Sequence, residues 1–463
     1  MGVNASLLMQ DLRKYNGKRC MPSKKLVTFP ESRLKTAGSI VTCFSAMPYV
    51  SGISVPSAED KRWIVDTHFM PYDDTQLISS VGVFRFRQGM TPVNIQHMIN
   101  GLLIQWNITD DLKFTPVRGT SSTSYPQISL HPNGKHIGYI NSNVTIINPS
   151  SKHKLHRRMD IKHLNFRNMS ISPNGFYIAS IARSSYYFEL VVSLVDPSSL
   201  VDRDPYSTMG YLGSSMSDIA SVNLHRICPG FMGTRLYTEK AEVVWSPDSQ
   251  YIAVTSSMGM LLIVKRSVNN DVTKIIPGIL DYNCQKLANE RTGDFDPRFG
   301  HQTFTFALRD DTICTYDLDT DDFTEVLTVE CIETLESVTN LKYNVAGTVL
   351  AIGTSEMLIH IHDSDTFQLL YSLDGKSQGS MSVQRHPDNN EYPSLLRMSF
   401  SHTGNQLCTS NTDGIVRIWQ LKPYINLQHM CRTAIQKHVR ADRLVQLPLP
   451  PKLIFFILQW PLP

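Results

Sequence analysis

The feature that most constrains the fold of this chain is a tight turn followed by a short apolar run, a unit that recurs through the sequence. The turns read HPNG, SPNG, SPDS, NVAG and SHTG, at residues 131–134, 172–175, 246–249, 344–347 and 401–404. Proline sets a backbone angle that tight turns use, and glycine or asparagine tolerates their left-handed position. The runs that follow, such as YIASI and VLAIG, are mostly aliphatic and β-branched, which favours strands. The recurrence therefore predicts a chain built from repeated β-units.

The spacing of these turns indicates the size of each unit. With a weaker copy near residue 297, the intervals run from 41 to 57 residues, and one interval is 74. A four-stranded propeller blade takes about 40–50 residues. We therefore predict an all-β propeller of about seven blades over residues 38–421, with an insertion at about 198–240. This polar insertion is our candidate for a recognition or regulatory element.

The last repeat carries the most specific motif of the series. The turn dipeptide Asp413-Gly414 is followed by Val416, Ile418 and Trp419. In this pattern the chain resembles the WD40-repeat family, and the resemblance implies a WD40-type β-propeller. The glycine–histidine pair that opens a typical repeat is missing nearly everywhere, and most copies lack the tryptophan. Another all-β array, such as a non-WD propeller or a sandwich, is the alternative.

Two weaker copies extend the repeat series. Tyr316 stands where the family usually has tryptophan, and Trp106 ends a further apolar run, LLIQW. Asn100-Gly101, just before that run, is a dipeptide typical of hairpin turns, and we predict a hairpin there.

The end of the last repeat predicts how the ring closes. Its third strand ends near Leu421, and Lys422-Pro423 breaks the strand before the blade has an outer strand. A closed propeller needs that strand, because an open sheet edge invites aggregation. The N-terminal region must supply it, and the candidates are residues 39–46 and 26–29.

An apolar stripe follows the last repeat. On a helix beginning near Asn426, one face is formed by Leu427, Met430, Cys431, Ala434 and Ile435. Taken alone, this stripe is typical of a helix that packs on its own domain.

A second motif, Leu447-Pro448-Leu449-Pro450, begins 12 residues after the stripe. The two motifs in this order resemble a SOCS box. The resemblance implies a small α-helical domain at residues 422–463, whose stripe residues bind Elongin C. It also implies that Leu447, Pro448, Leu449 and Pro450 bind a cullin of the cullin-5 type.

These implications define an adaptor. Its partners would be Elongin B/C, a cullin with its RING-box subunit, and an unknown protein substrate held by the propeller. The alternative is a non-ligase WD-repeat scaffold or adaptor, N-myristoylated and membrane-tethered, whose C-terminal helix is purely structural.

The N-terminal tail, residues 1–37, carries a further signal. Gly2 and Ser6 fit the pattern for N-myristoylation. Residues 1–35 contain eight Lys and Arg residues and only two acidic residues. A basic patch is the usual partner of one acyl chain, so membrane contact through this tail is one interpretation. An unmodified basic tail and a nuclear-import signal are the alternatives.

The composition of the chain argues against several classes of protein function. A net charge of +3 over 463 residues does not indicate a nucleic-acid binder, and the 8 cysteines have no zinc-like spacing. The sequence contains none of the common nucleotide-binding, hydrolase or metalloprotease motifs. We therefore expect a non-catalytic protein without metal or cofactor. Because no signal peptide or long apolar run is present, we expect a cytoplasmic or nuclear location, with peripheral membrane association as a further option.

Overall fold

The computed structural model describes part of the chain, and all the described residues belong to one compact unit, Ala37–Pro463. The described residues are 40–45, 60–85, 98–108, 113–120, 127–141, 143–147, 157–158, 165–183, 188–195, 216–224, 241–256, 261–266, 272–276, 293–298, 302–308, 312–320, 322–328, 338–355, 357–375, 395–411, 414–421, 435, 447–450 and 453–454.

Within these residues, 28 strands form seven four-stranded antiparallel sheets, which we call blades. Blade 1 contains β2 (Asp60–Met70), β3 (Asp73–Arg85), β4 (Met98–Asn107) and β5 (Lys113–Thr120). Blade 2 contains β6 (Ile128–Leu130), β7 (Ile137–Asn141), β8 (Asn143–Ile147) and β9 (Arg157–Arg158). Blade 3 contains β10 (Asn165–Ile171), β11 (Tyr177–Arg183), β12 (Phe188–Val195) and β13 (Met216–Asn223). Blade 4 contains β14 (Ala241–Trp245), β15 (Tyr251–Ser256), β16 (Leu261–Arg266) and β17 (Val272–Ile276).

The other three blades follow in chain order. Blade 5 contains β18 (Gly293–Phe295), β19 (Thr303–Ala307), β20 (Thr312–Asp317) and β21 (Asp322–Thr328). Blade 6 contains β22 (Val338–Tyr343), β23 (Val349–Thr354), β24 (Leu358–Asp363) and β25 (Leu369–Asp374). Blade 7 contains β26 (Leu395–Phe400), β27 (Gln406–Asn411), β28 (Ile415–Gln420) and β1 (Ile40–Ser45). The predicted seven-bladed propeller is confirmed.

The two ends of the propeller meet in blade 7. Strand β1 pairs antiparallel with β28, in a register that places Phe44 opposite Val416 and Ser45 opposite Ile415. The first strands of consecutive blades contact one another around the whole ring, including β26 with β2. The predicted closure by residues 39–46 is therefore confirmed, and residues 26–29, the other candidate, lie outside the described residues.

The core consists of apolar layers between neighbouring blades. Every residue of β23 and β27 is buried, which explains the nearly continuous apolar character of β23, VLAIGT, whereas β27, QLCTSN, also buries polar side chains. Trp106, Tyr316 and Trp419 are buried at the same place, the residue before the last of each blade's third strand. The sequence motifs therefore marked equivalent core positions, with tyrosine replacing tryptophan in blade 5.

Two local predictions need correction. Asn100-Gly101 lies inside β4, where Gly101 pairs with Gly82, and is not a hairpin turn. The long pairing of β3 with β4 outweighs the local preference of this dipeptide. The interval 198–240 is not wholly an insertion, because it contains β13, the outer strand of blade 3.

Candidate interaction sites

The predicted stripe for Elongin C lies mostly outside the described residues. Leu427, Met430, Cys431 and Ala434 are outside them, and so is Gly2 of the N-terminal tail. Ile435, the last residue of the stripe, is helical and half-buried. The role of these residues stays a prediction.

The predicted cullin motif is described in full. The backbone N–H of Leu449 donates to the carbonyl oxygen of Leu447 at 2.7 Å, which closes a three-residue turn. Exposure then alternates along the motif: Leu447 and Leu449 are half-buried, whereas Pro448 and Pro450 are exposed. The turn thus presents the two prolines outward and turns the two leucines inward.

A helical turn begins directly after this motif. The carbonyl oxygen of Pro450 accepts hydrogen bonds from the N–H groups of Leu453 at 2.9 Å and Ile454 at 3.1 Å. Proline cannot donate a hydrogen bond, so it is tolerated at the start of a helix, where the first N–H groups have no partner within the helix. Leu453 is 44% exposed, so it adds an apolar surface to the two prolines.

The propeller offers a second kind of site, the channel enclosed by the first strands of the blades. These strands alternate apolar side chains that pack between blades with polar side chains, many of which bond to the next blade. Oδ1 of Asn168 accepts from the N–H of Val243 at 3.3 Å, and Oδ2 of Asp66 accepts from the N–H of Ile128 at 3.1 Å. At these junctions a polar side chain of one first strand therefore accepts a hydrogen bond from a backbone N–H group of the next first strand.

One ion pair lies between the first strands of blades 5 and 6. Nζ of Lys342 donates to Oδ1 of Asp294 at 2.8 Å, and the N–H of Tyr343 donates to Oδ2 at 3.0 Å. Burial raises the pKa of Asp294 above its ordinary value, although Lys342 and Tyr343 oppose this change. This pair joins two blades, and its lysine is accessible to solvent because 41% of the Lys342 side chain is exposed.

Sequence reasoning missed these channel residues, although one signal was present. In several first strands a polar or charged residue interrupts an apolar run, as Arg397 does in LLRMSF and Asn340 does in VTNLKY. Among the residues that the structure describes, no group of three or more His, Cys, Asp and Glu side chains is arranged to hold a metal ion. No helix in the same part of the chain is long and apolar enough to cross a membrane.

Two models of known protein families match the C-terminal part of the chain. The model of the WD domain, G-beta repeat, matches residues 386–420, and the SOCS box model matches residues 425–458. The chain therefore contains a WD40 repeat at residues 386–420 and a SOCS box at residues 425–458. The WD40 match covers β26 to β28, and the SOCS box match covers both predicted binding motifs.

One solved structure supports the fold of this chain. A crystal structure of Chaetomium thermophilum Sqt1 is 12% identical, covers 78% of this chain and 95% of its own, and has a TM-score of 0.50. A second crystal structure of Sqt1 from the same organism gives 12% identity, 78% and 97% coverage, and a TM-score of 0.49. The first likeness concerns the fold alone. No curated protein sequence matches the chain.

A WD40 propeller with a SOCS box supports a general function, that of a substrate receptor in a cullin–RING ubiquitin ligase. The same two domains indicate a non-catalytic adaptor.

Proposed function

We propose that this protein is the substrate-recognition subunit of an Elongin B/C–cullin-5-type RING ubiquitin ligase. The SOCS box binds Elongin C through the apolar stripe of its first helix and contacts the cullin through Leu447 to Pro450. The propeller holds the protein substrate. Ubiquitin transfer is then accelerated by proximity, and no side chain of this chain takes part in the chemistry.

The observation that carries this proposal is the SOCS box match over residues 425–458. It begins five residues after β28 ends at Gln420, so the box follows the last propeller strand with a very short connection. A short connection limits the positions that a bound substrate can take relative to the cullin. That restriction is what a receptor needs in order to present lysines to a ubiquitin-loaded enzyme.

The geometry of the cullin motif gives further support. Pro448 and Pro450 are exposed, and their rings have restricted backbone angles, so little conformational entropy is lost when a partner covers them. The half-buried Leu447 and Leu449 hold the turn from the inside. Because Leu453 is also exposed beside the motif, we include it in the proposed cullin contact.

Co-purification of the full chain with Elongin B/C tests the proposal. We expect the wild-type protein to recover Elongin B/C, and Leu427→Asp to lose it, because a buried carboxylate without a partner in an apolar groove is costly. The matched control is Leu369→Asp, the same substitution at a propeller residue that is 55% exposed. It should keep Elongin B/C. Equal recovery by the two variants would contradict the proposed stripe.

The cullin type needs a separate experiment. We expect the complex with Elongin B/C to bind cullin-5 in preference to cullin-2, and Pro448→Ala/Pro450→Ala to weaken cullin binding while Elongin recovery is unchanged. Preference for cullin-2 would refute the cullin-5 assignment and leave the receptor function intact.

The location is also a proposal. We propose a cytoplasmic or nuclear protein, with Gly2 as the candidate acylation site for contact with membranes. Metabolic labelling with a myristate analogue tests this, with Gly2→Ala as the variant that must lose the label. Absence of label from the wild-type chain would leave an unmodified basic tail.

A further inference from the structure

One side chain joins first strands on opposite sides of the ring. Arg397 lies on β26 of blade 7, and its Nη1 forms an ion pair with Oε1 of Glu242 on β14 of blade 4. Consecutive first strands contact each other around the ring, so blades 7 and 4 are three steps apart, the largest separation that seven blades allow. The Arg397 side chain therefore crosses the channel.

A second carboxylate reaches the same guanidinium from blade 1. Nε of Arg397 lies 3.5 Å from Oδ1 of Asp66 on β2, and Nε2 of His68 lies 3.0 Å from the same oxygen. Asp66 is 1% exposed and Arg397 is 8% exposed, so water has little access to these two groups, whereas 12% of the Glu242 side chain and 25% of the His68 side chain are exposed. The guanidinium thus has one carboxylate near its Nε and another at its Nη1.

The protonation states of the cluster agree with this geometry. Burial by itself would raise the pKa of Asp66, but His68 and Arg397 hold it well below its ordinary value. Burial would lower the pKa of Arg397, but Glu242 and Asp66 raise it above its ordinary value. Asp66 is therefore a carboxylate and Arg397 a cation at neutral pH.

The strand pairing is irregular next to both Asp66 and Arg397. The pairing of β2 with β3 shifts register directly before Asp66, and the pairing of β26 with β27 shifts directly before Arg397. Such irregularities bend a strand and re-aim the next side chain. Both irregularities occur just before the residues whose side chains reach into the centre of the ring.

We propose that Arg397 is a built-in plug, whose guanidinium occupies a guanidinium-binding site formed by Asp66 and Glu242 and closes the channel to side chains of a partner. A partner must then bind a face or the rim of the propeller. The plug itself does not depend on the proposed function. The conclusion that a ubiquitination substrate binds a face or the rim does rest on it.

Thermal unfolding of the full chain tests the plug. We expect Arg397→Ala to lower Tm, because the buried Asp66 and the largely buried Glu242 lose their shared cation, and propylguanidinium at millimolar concentration to recover part of that loss. Propylammonium should recover less, since it lacks the planar fork that binds two carboxylates. Wild-type Tm should respond to neither compound.

A matched control exists at Arg298, a partly buried arginine that also pairs with two carboxylates. Arg298 pairs with Asp296 and Asp365, but 47% of the Asp365 side chain is exposed. Because water reaches that carboxylate, we expect propylguanidinium to give Arg298→Ala no comparable gain in Tm. An equal gain would mean that the compound acts non-specifically, and it would overturn the proposal.

A second set of variants covers the case in which Arg397→Ala does not fold. The triple variant Asp66→Asn/Glu242→Gln/Arg397→Met removes all three charges and should unfold at a higher temperature than Arg397→Met alone. A triple variant no more stable than the single one, or an Arg397→Ala protein as stable as wild type, would overturn the plug. Folded variants should still recover Elongin B/C, whereas failure of the wild-type chain to do so would refute only the ligase function.

Discussion

Nε2 of His131, in the first turn of blade 2, lies 3.1 Å from the carbonyl oxygen of Gly175, in the first turn of blade 3. The N–H of Asn133 donates to Nδ1 of the same ring at 3.1 Å, so Nδ1 is the acceptor and Nε2 must carry the proton. The two hydrogen bonds can form together only when the imidazole is neutral, because a protonated Nδ1 could not accept from Asn133. Burial, opposed by the hydrogen bond to the Gly175 carbonyl, lowers the pKa of His131 below its ordinary value of 6.5.

This contact predicts a loss of stability in mild acid. The neutral form is favoured in the folded state, so the contribution of His131 is fully present above pH 6.5 and is lost as the pH falls below that value towards the lower folded pKa. Burial lowers the pKa of His360, His362 and His402 as well, so their contributions have the same sign. Denaturant unfolding between pH 5 and 7.5 measures the slope of the unfolding free energy against pH. His131→Gln should reduce that slope, and a slope unchanged from wild type would contradict the assignment.

Ring closure predicts a sharp boundary for N-terminal truncation. Removal of residues 1–36 leaves β1 intact, so we expect Tm to remain within a degree or two of wild type. Removal of residues 1–45 exposes the edge of β28, and we expect a large loss of Tm together with aggregation. Differential scanning fluorimetry and size-exclusion chromatography compare the two proteins. Equal behaviour would mean that β1 does not close the ring in solution.

At the buried tryptophan of blade 7, the loss of stability should depend on the size of the replacing side chain. Trp419 is 1% exposed, and its Nε1 donates to Oγ1 of Thr409 at 3.2 Å. Trp419→Ala should cost about 3–5 kcal/mol of unfolding free energy, because it leaves a large cavity. Trp419→Phe keeps most of the apolar volume and should cost about 1–2 kcal/mol, in part through the lost hydrogen bond. Urea titrations measure both values, and equal losses would contradict this account.

Two glycines with the same backbone conformation should differ in their tolerance of alanine. Gly347 and Gly404 have φ values of +66° and +72°, so alanine at either costs about 1–2 kcal/mol in backbone strain. At Gly347 an added Cβ also comes within 2.5 Å of Cγ of Arg298, whereas at Gly404 the nearest atom is Nδ2 of Asn344 at 3.3 Å. Gly347→Ala should therefore be the more destabilising. The reverse order in urea unfolding would show that Arg298 yields without cost.

The sequence was most informative where one short motif has one structural meaning. The blades were predicted from the turns at residues 131–134 and 401–404 and from the aromatic residues Tyr316 and Trp419. The turns depend only on local backbone angles, and the aromatic residues depend only on being buried in a sheet. Asn100-Gly101 shows the limit of this reasoning. The same dipeptide fits a turn or a strand, and the paired lengths of β3 and β4 decided for the strand.

The C-terminal segment was predicted by order and spacing. Leu427 to Ile435 and Leu447 to Pro450 are contiguous motifs within the residues that the SOCS box model matches, so no tertiary contact is needed to recognise them. The alternation of exposed prolines and half-buried leucines, by contrast, came from the turn between Leu449 and Leu447.

The sequence by itself determined the type of repeat and the SOCS box, because each is encoded within a few consecutive residues. It narrowed the closing strand to residues 39–46 or 26–29, and the pairing of β1 with β28 decided for the first. Only the tertiary structure decided what the charged residues of the first strands do. Arg397 and Glu242 are 155 positions apart in the chain and meet because seven twisted blades close into a ring. Periodicity in the sequence identifies which side chains leave a strand on the same side, but not which blade lies across the channel.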